Sequence, residues 1–276
     1  MDQIRKLLDK VEMLPLSPAL LPKLLPKLSD VDSNFDEVVE IIAFDPGLTA
    51  KLLQICNSAL FGQEAEVDSV AEAVNRVGYQ SVYLLVAMIS GSSCFPSPAP
   101  PGVDAAKLWR HSVTTAFLAK FVAESAGADG NLLFTAGLLH DLGKVILCQQ
   151  PWPASTPLFR RPSDAASLES EKALFGCNHA EVGAALLERW KLPAQLAEAV
   201  RYHHEPKAAQ GFKRIAACVT LGNLISHSEA QPSVLEHAEF EDSLALLNLS
   251  ADHLERWRDR LRDHQTLISG MSRLPL

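Results

Sequence analysis

The sequence predicts an all-α protein, and three observations lead to this fold class. Apolar residues recur every three or four positions along most of the 276-residue chain, which is the period of an amphipathic helix. No segment shows the convincing alternation of apolar and polar residues that marks a half-buried strand. Several segments also begin with residues that cap helices and end at glycine or proline. We therefore expect helices throughout the chain.

Two helix starts are clearly marked in the first third of the chain. Asp45 followed by Pro46 combines a capping side chain with a proline suited to the first helical position, and predicts a helix up to Asn57. Residues 69–72 read Ser-Val-Ala-Glu, which is a capping box, and Gly78 is the expected stop of that helix.

Two more helix boundaries are marked in the second half. Residues 178–181 read Asn-His-Ala-Glu and predict a helix that runs to about Trp190. Pro193 then breaks the chain before a further helix, which we expect to end near residues 205–206. Three prolines make the structure of residues 17–28 ambiguous, since the segment could be a kinked helix or a helix that begins late.

A segment rich in proline, serine and glycine divides the chain at residues 91–103. It predicts a connection between an N-terminal helical lobe, residues 1–90, and a larger helical domain, residues 104–276. A second proline-rich patch at residues 151–162 predicts a surface loop between helices.

Composition excludes several classes of protein. The net charge is −8, from 25 basic and 33 acidic residues without a basic cluster, so neither nucleic acid nor an anionic membrane surface is an expected partner. Five scattered cysteines without a Cys-x-x-Cys pair favour a reducing compartment. The N-terminus lacks an apolar signal core, and the longest apolar run, residues 82–89, is too short to span a bilayer. We expect a cytoplasmic protein.

The stretch at residues 137–144 reads Gly-Leu-Leu-His-Asp-Leu-Gly-Lys and places His140 beside Asp141 in an apolar helical segment. A buried imidazole or carboxylate is costly unless it is paired or bound to a metal. Lys144 lies four residues after His140 on the same helix face, where its ammonium could meet a phosphate oxygen. Taken alone, Lys144 is more typical of a solvated surface lysine.

Other histidines lie on apolar faces of separate helices: His111, His179, His203 and its neighbour His204. His111 or His179 alone is more typical of a hydrogen-bonded core residue, and the doublet alone is as typical of a helix C-terminus as of a pair of ligands. Their combination with the His140-Asp141 pair favours a single site built from several helices. Imidazole and carboxylate ligands suit Fe, Mn, Zn or Mg, and no organic cofactor is indicated.

These histidines and the motif at residues 140–144 resemble the HD superfamily of metal-dependent phosphohydrolases, including the HD-GYP phosphodiesterases. The rest of the chain more closely resembles the HDOD domain, the HD-related output domain of bacterial signalling proteins. The resemblance covers residues 10–230, and its strongest part is residues 45–62, with Asp-Pro, a helix and Asn-Ser-Ala. It implies an HD-type helical bundle packed against the N-terminal lobe. Further matching segments are residues 73–78, 108–112, 179–183 and 190–193.

The resemblance also implies a set of site residues. The metal ligands would be His111, His140, Asp141, His179, His203, His204 and Asn223, and the catalytic pair would be Asp141 and Lys144. We expect the first three and Asn223 to lie close together, with the other three histidines along an adjacent wall.

Two departures from the HD hydrolases weaken this site. The late helix of those enzymes supplies an aspartate where this chain has Asn223, and their Gly-Tyr-Pro segment is missing after His204. Asp141 is then the only carboxylate among the matched positions, although Glu171 or Glu205 could add another. Two divalent ions repel strongly in a site with few anions, so we expect one metal or none and little hydrolysis.

Three functions are consistent with the sequence. The favoured one is a signalling output module with a degenerate metal site that binds a protein partner through its N-terminal helices. An active phosphohydrolase or phosphodiesterase acting on a nucleotide or cyclic dinucleotide is the alternative. In the third, the site senses a metal or a ligand such as a nucleotide without turnover.

Overall fold

The computed structural model describes residues 2–10, 23–24, 27, 35–58, 67–92, 94, 104–150 and 165–271. Within these ranges the chain is helical and contains no strand, which confirms the predicted all-α class. No helix among the described residues is long and apolar enough to cross a membrane. The proline-rich patch at 151–162 and most of the segments at 17–28 and 91–103 lie outside the described residues.

The helices follow one another in a simple order. In the first part they are α1 (Asp2–Lys10), α2 (Phe35–Ala43), α3 (Pro46–Cys56), α4 (Val70–Val77) and α5 (Tyr79–Ser92). In the second part they are α6 (Ala105–Ser125), α7 (Gly130–Leu139), α8 (Leu142–Leu147), α9 (Ala165–Phe175), α10 (His179–Arg189), α11 (Ala194–Arg201), α12 (Lys213–Ser228), α13 (Ala238–Leu247), α14 (His253–Asp263) and α15 (Gln265–Met271).

The predicted helix starts are confirmed by their capping hydrogen bonds. The Asp45 carboxylate accepts from the Leu48 amide at 3.0 Å, and the helix begins at the following proline. Asn178 and Glu181 form both halves of a capping box at the start of α10. Gly78 ends α4 with a φ of +84°, in the left-handed region that glycine adopts without strain.

Helix α5 joins the first part of the chain to the second. It is buried from Val82 to Ser92 and packs against both α3 and α7. Because it continues through Ser92, the first two residues of the predicted connection are helical. The side chains of both parts contribute to one continuous hydrophobic core.

Two glycines let the central helices approach closely. A Cβ atom on Gly137 in α7 would lie 2.8 Å from the Cα of Ala116 in α6. A Cβ on Gly222 in α12 would lie 2.8 Å from the backbone nitrogen of Ala119, also in α6. Real Cβ atoms do not come so near to backbone, so only glycine permits these crossings. They hold α7 and α12 against α6, the helix that carries His111.

Candidate metal centre

The histidines predicted from the sequence come from different parts of the bundle. His111 lies in the middle of α6, while His140 and Asp141 form the junction between α7 and α8. His179 is the first residue of α10. His203 and His204 follow directly after the end of α11. The bundle brings all of these side chains to one place, around the carboxylate of Asp141.

The two oxygens of Asp141 face two different groups of histidines. Oδ1 lies 3.4 Å from Nε2 of His179 and 3.9 Å from Nε2 of His203. Oδ2 lies 3.5 Å from Nε2 of His111 and 3.4 Å from Nε2 of His140. The carboxylate therefore stands between the groups and can serve both of them.

Each group has the composition and spacing of a cation site. We name His179, His203 and His204 the His204 triad, and His111, His140 and Asp141 the His111 triad. Within each triad the ligand atoms lie within 4.8 Å of one another. The two triads are adjacent, because Asp141, a member of the His111 triad, also faces His179 and His203 of the His204 triad through Oδ1.

Hydrogen bonds to the backbone fix the tautomers of two imidazoles. Nδ1 of His140 lies 2.7 Å from the carbonyl oxygen of Gly137, and Nδ1 of His203 lies 2.6 Å from that of Val200. A carbonyl oxygen can only accept, so Nδ1 carries the hydrogen in both rings. In the neutral form of each ring, Nε2 is then an unprotonated lone pair that faces Asp141.

Side-chain acceptors fix the tautomers of two more imidazoles. Nδ1 of His179 donates to the Glu171 carboxylate at 2.7 Å, which also accepts from the His179 amide at 2.7 Å. Nδ1 of His111 lies 3.0 Å from Oγ of Ser226, whose own hydrogen goes to the carbonyl oxygen of Asn223 at 2.7 Å. Ser226 therefore accepts from His111, and the Nε2 atoms of both histidines are free to bind a cation.

Two of the resulting lone pairs are too close to be stable alone. Nε2 of His111 and Nε2 of His140 are 3.2 Å apart, and both are lone pairs in the tautomers described. Two facing lone pairs repel at such a distance unless a proton or another cation lies between them. Nε2 of His204 lies 3.0 Å from Nε2 of His179 and can donate a hydrogen bond to it, because the tautomer of His204 is not set by a backbone or side-chain acceptor. The hydrogen bonds that fix the imidazole tautomers therefore leave a centre that a bound cation would stabilise.

Unpaired polar atoms mark the same place. Among the described residues, the buried side-chain nitrogen and oxygen atoms that have no hydrogen-bond partner are Oδ1 of Asp141, Nε2 of His203, Oδ1 of Asn223 and Nε2 of His227. Three of these residues are predicted ligands, and the His227 ring stacks on His111 with 4.2 Å between ring centroids. Buried polar atoms in folded proteins normally find partners, so these four atoms are available to a ligand such as a metal ion.

Burial keeps the imidazoles in the form that binds metals. It lowers the pKa of His111, His203 and His204 well below the ordinary histidine value. It also lowers the pKa of His227 to about 4. These rings are neutral near pH 7, and a neutral imidazole is the ligating form.

Asp141 stays ionised in spite of its burial. Removal from water by itself raises the pKa of this carboxyl, but the neighbouring His140 and Lys144 side chains outweigh that effect and hold its pKa well below the usual range. The centre thus combines imidazole nitrogens with one carboxylate. This donor set fits a divalent ion such as Mn, Fe or Zn.

A lysine taken alone suggests a solvated surface position, but Lys144 is buried. Its side chain is only 5% exposed, and its Nζ lies 2.6 Å from Oδ2 of Asp141. The ammonium is therefore the direct partner of the central carboxylate. Of the two extra carboxylates left open by the sequence, Glu171 is fully buried against His179, whereas Glu205 is exposed.

Two residues of the centre, His227 and Ser226, were not predicted from the sequence. Both lie on α12, and His227 follows Asn223 by four residues, so the two share a helix face. That spacing is the signal that could have identified His227. Nothing in the sequence indicated Ser226, because its role depends on a contact with α6 that forms only in the folded chain.

Glu171→Gln is expected to lower the affinity for a divalent ion by about 10-fold to 100-fold, the usual cost of losing an outer partner of a ligating histidine. Glutamine keeps the shape but removes the charge that strengthens His179 as a ligand. Isothermal titration with Mn²⁺ measures the effect. Glu169→Gln, an exposed change on the same helix, is the matched control. Equal affinities for the two variants would show that the Glu171 charge does not reach the centre.

The sequence matches one family model and several curated proteins. The HDOD domain family model matches residues 14–206 of the 276-residue chain. An uncharacterized protein of Treponema pallidum (strain Nichols) is 26% identical over 222 residues, covering 78% of this chain and 42% of that protein. Ribonuclease Y of Rhodopirellula baltica is 36% identical over 96 residues, covering 35% of this chain and 14% of the enzyme. The chain thus spans less than half the length of these curated relatives.

A solved structure shows the same fold. The crystal structure of an HDOD domain protein with unknown function from Geobacter sulfurreducens is similar to this chain with a TM-score of 0.75. The match covers 100% of this chain and 98% of the other, at 24% sequence identity. At this level of identity the likeness concerns the helical architecture alone.

Proposed function

Because the chain belongs to the HDOD domain family, we propose that it is an output module of bacterial signal transduction whose HD-type centre binds a divalent cation and acts through binding rather than turnover. The observation that carries this proposal is the hydrogen-bond arrangement of the imidazoles. Four Nδ1 atoms are tied to fixed acceptors, so that four Nε2 lone pairs face one ionised carboxylate. Such a centre is stabilised by a cation.

Two features support binding without efficient hydrolysis. Asn223 supplies a neutral oxygen where the HD hydrolases have a carboxylate, so the centre carries less negative charge. The chain after His204 runs through a short 3-10 turn, Pro206–Ala208, and has no Gly-Tyr-Pro segment.

A metal-dependent phosphohydrolase is the second candidate, and one observation favours it. The two oxygens of Asp141 face different groups of histidines, so the residues that would hold two metal ions would share this carboxylate. The similarity to Ribonuclease Y over 96 residues also favours phosphodiester chemistry. A bound divalent ion would polarise a phosphoryl oxygen and activate water, while Lys144 and the imidazoles would orient the substrate.

One pair of measurements separates these functions. The protein is incubated with Mn²⁺, Fe²⁺, Zn²⁺ or Mg²⁺ and its metal content is determined by elemental analysis, and each loaded form is then assayed with bis(4-nitrophenyl) phosphate. We expect bound metal and no hydrolysis above that of Asp141→Asn. Turnover that Asp141→Asn abolishes would establish the phosphohydrolase instead. A protein without metal would refute the cation centre and leave a scaffold.

The proposal includes a protein partner, and the N-terminal helices offer one feature that supports it. Phe44, between α2 and α3, is 88% exposed, and Leu174 at 40% is the other exposed large apolar side chain among the described residues. A single exposed aromatic residue is common on protein surfaces, so it marks a point of contact rather than a whole interface.

Asn223→Asp is expected to raise metal affinity, because it adds negative charge while keeping nearly the same side-chain shape. The Asn223 side chain is 2% exposed and its Oδ1 has no hydrogen-bond partner, so the added charge would be free to face a cation. Hydrolysis need not appear. Metal titration of the variant and of wild type at one pH is the measurement, with the exposed change Asn248→Asp as the control. Equal affinity in all three proteins would remove Asn223 from the ligand set.

A further inference from the structure

We propose that His227 and Lys107 contact the ligand at the open side of the centre, where they select an anion that carries a phosphoryl group. This inference rests on the proposed cation centre and deepens it. It assigns a role to two residues that belong to neither triad. His227 also lies beyond residue 206, where the match to the family model ends.

The centre is closed on one side and open on the other. Four of its side chains are at most 1% exposed: His140, Asp141, His179 and His203. The imidazoles of His111, His204 and His227 are partly exposed. A ligand that enters from solvent must therefore pass these three rings.

The two ring nitrogens of His227 have different surroundings. Nε2 is buried and has no hydrogen-bond partner. Nδ1 forms no hydrogen bond within the described residues and is not one of the buried unpartnered atoms, so it reaches solvent. Because no acceptor holds the hydrogen of the neutral ring at Nδ1, Nε2 can carry it and donate towards the centre. The oxygen of an anion, which only accepts, is the matching partner.

Stacking gives His227 a role other than that of a metal ligand. Its ring lies 4.2 Å from the His111 ring, with 22° between the two planes. A metal ion binds an imidazole nitrogen in the plane of the ring, at about 2.0–2.1 Å. Two nearly parallel rings at this separation cannot both direct a nitrogen at one ion. The stack also holds the ring in place, so little ordering is needed when a ligand binds.

Positive charge lies on the same side. Lys107 is exposed and precedes His111 by one turn of α6, so the two share a helix face. Burial is the main cause that lowers the pKa of His227 to about 4, and the charges of Lys144 and Lys107 contribute, against the opposing charge of Asp141. Two ammonium groups therefore act on this ring, and they attract an anion to it.

The first experiment measures the hydrogen bond. Mn²⁺-loaded protein is titrated with inorganic phosphate in a calorimeter. His227→Phe keeps an aromatic ring in the stack but removes both nitrogens. We expect it to lower phosphate affinity by about 10-fold or more, the usual worth of a hydrogen bond to a charged group, and to leave Mn²⁺ affinity unchanged. His253→Phe is the matched control, because His253 also stacks on an aromatic ring, that of Trp257, on a helix without triad residues.

The second experiment measures the charge and does not depend on how His227→Phe folds. Lys107→Met should lower phosphate affinity a few-fold at low ionic strength, and the difference should vanish near 1 M salt, where the screening length is only about 3 Å. The loss in His227→Phe should persist there. Lys213→Met is the control, since Lys213 is exposed and begins α12, about 21 Å along the helix from His227.

Repeating both titrations with phenyl phosphate distinguishes the source of the phosphoryl group. Equal losses for the two probes would assign the contact to a phosphoryl group borne on an ester. A loss for inorganic phosphate alone would assign it to the free ion. Either result supports the contact itself.

The outcomes separate this inference from the proposed function. Wild-type phosphate affinity in His227→Phe or in Lys107→Met, a lower Mn²⁺ affinity in His227→Phe, or no phosphate binding by the loaded wild type would each overturn the inference while the cation centre stands. No Mn²⁺ binding by wild type would overturn the proposed function and the inference with it.

Discussion

Gly143→Ala is expected to lower the free energy of unfolding by about 3 kcal/mol and to abolish metal binding. The Cβ of the alanine would lie 1.9 Å from the carbonyl oxygen of His179 and 2.8 Å from the amide nitrogen of Gly183. Both atoms belong to the backbone of α10, so no side-chain rotation can relieve the clash. Helix α8 must move away from α10, and overpacking of this kind costs about 1–3 kcal/mol or more.

The same movement would separate the ligands. Asp141 precedes α8 and His179 begins α10, with 3.4 Å between Oδ1 and Nε2. A shift of about 1 Å or more would remove the shared cation position, since ligand bonds to such metals are only about 2.0–2.3 Å long. Stability and metal binding are therefore expected to fall together.

Chemical denaturation and Mn²⁺ titration measure the two effects, and two other glycines provide graded controls. A Cβ on Gly183 would meet Cγ1 of the Val200 side chain at 3.1 Å, so Gly183→Ala should cost less. A Cβ on Gly47 would meet Oδ1 of Asp45 at 3.4 Å, an ordinary contact, so Gly47→Ala should be neutral or slightly stabilising. Wild-type stability in Gly143→Ala would mean that α8 and α10 do not pack as described.

The helical architecture could be predicted because its signals are local. A capping residue such as Asn178 acts on amides within its own first turn, so the sequence alone determines where α10 begins. The close contact between Gly143 and the His179 backbone joins two helices that are distant in sequence. The sequence shows a glycine at position 143 but cannot show which backbone requires it.

The residues of the candidate site could be predicted more readily than the hydrogen bonds and ion pairs between them. Inward helical phase identified His111 and His140, and the resemblance to HD proteins added Asn223. The partner of Lys144 could not be read from helical spacing, because a face shared with His140 does not reveal that the ammonium turns back to Asp141. Glu171 remained one of two options until burial against His179 distinguished it from Glu205.

Asp141→Asn is expected to abolish metal binding at both triads and, independently, to destabilise the metal-free protein by about 3 kcal/mol. The first effect follows because its carboxylate lies between the triads. The second follows because Lys144, 5% exposed, loses the partner at 2.6 Å that compensates its charge. Removing one member of a buried ion pair costs about 3–5 kcal/mol, since an uncompensated charge stays behind.

The double variant Asp141→Asn/Lys144→Met separates the two effects. With both charges gone, the metal-free protein should regain most of the lost stability, while metal binding should stay absent. Denaturation in the presence of a chelator gives the free energies of wild type, both single variants and the double variant, and their cycle isolates the coupling between the two side chains. Costs that simply add would show that the side chains of Lys144 and Asp141 do not stabilise one another, in spite of the 2.6 Å between them. A coupling of about 2 kcal/mol or more would instead show that this ion pair stabilises the centre before any metal binds.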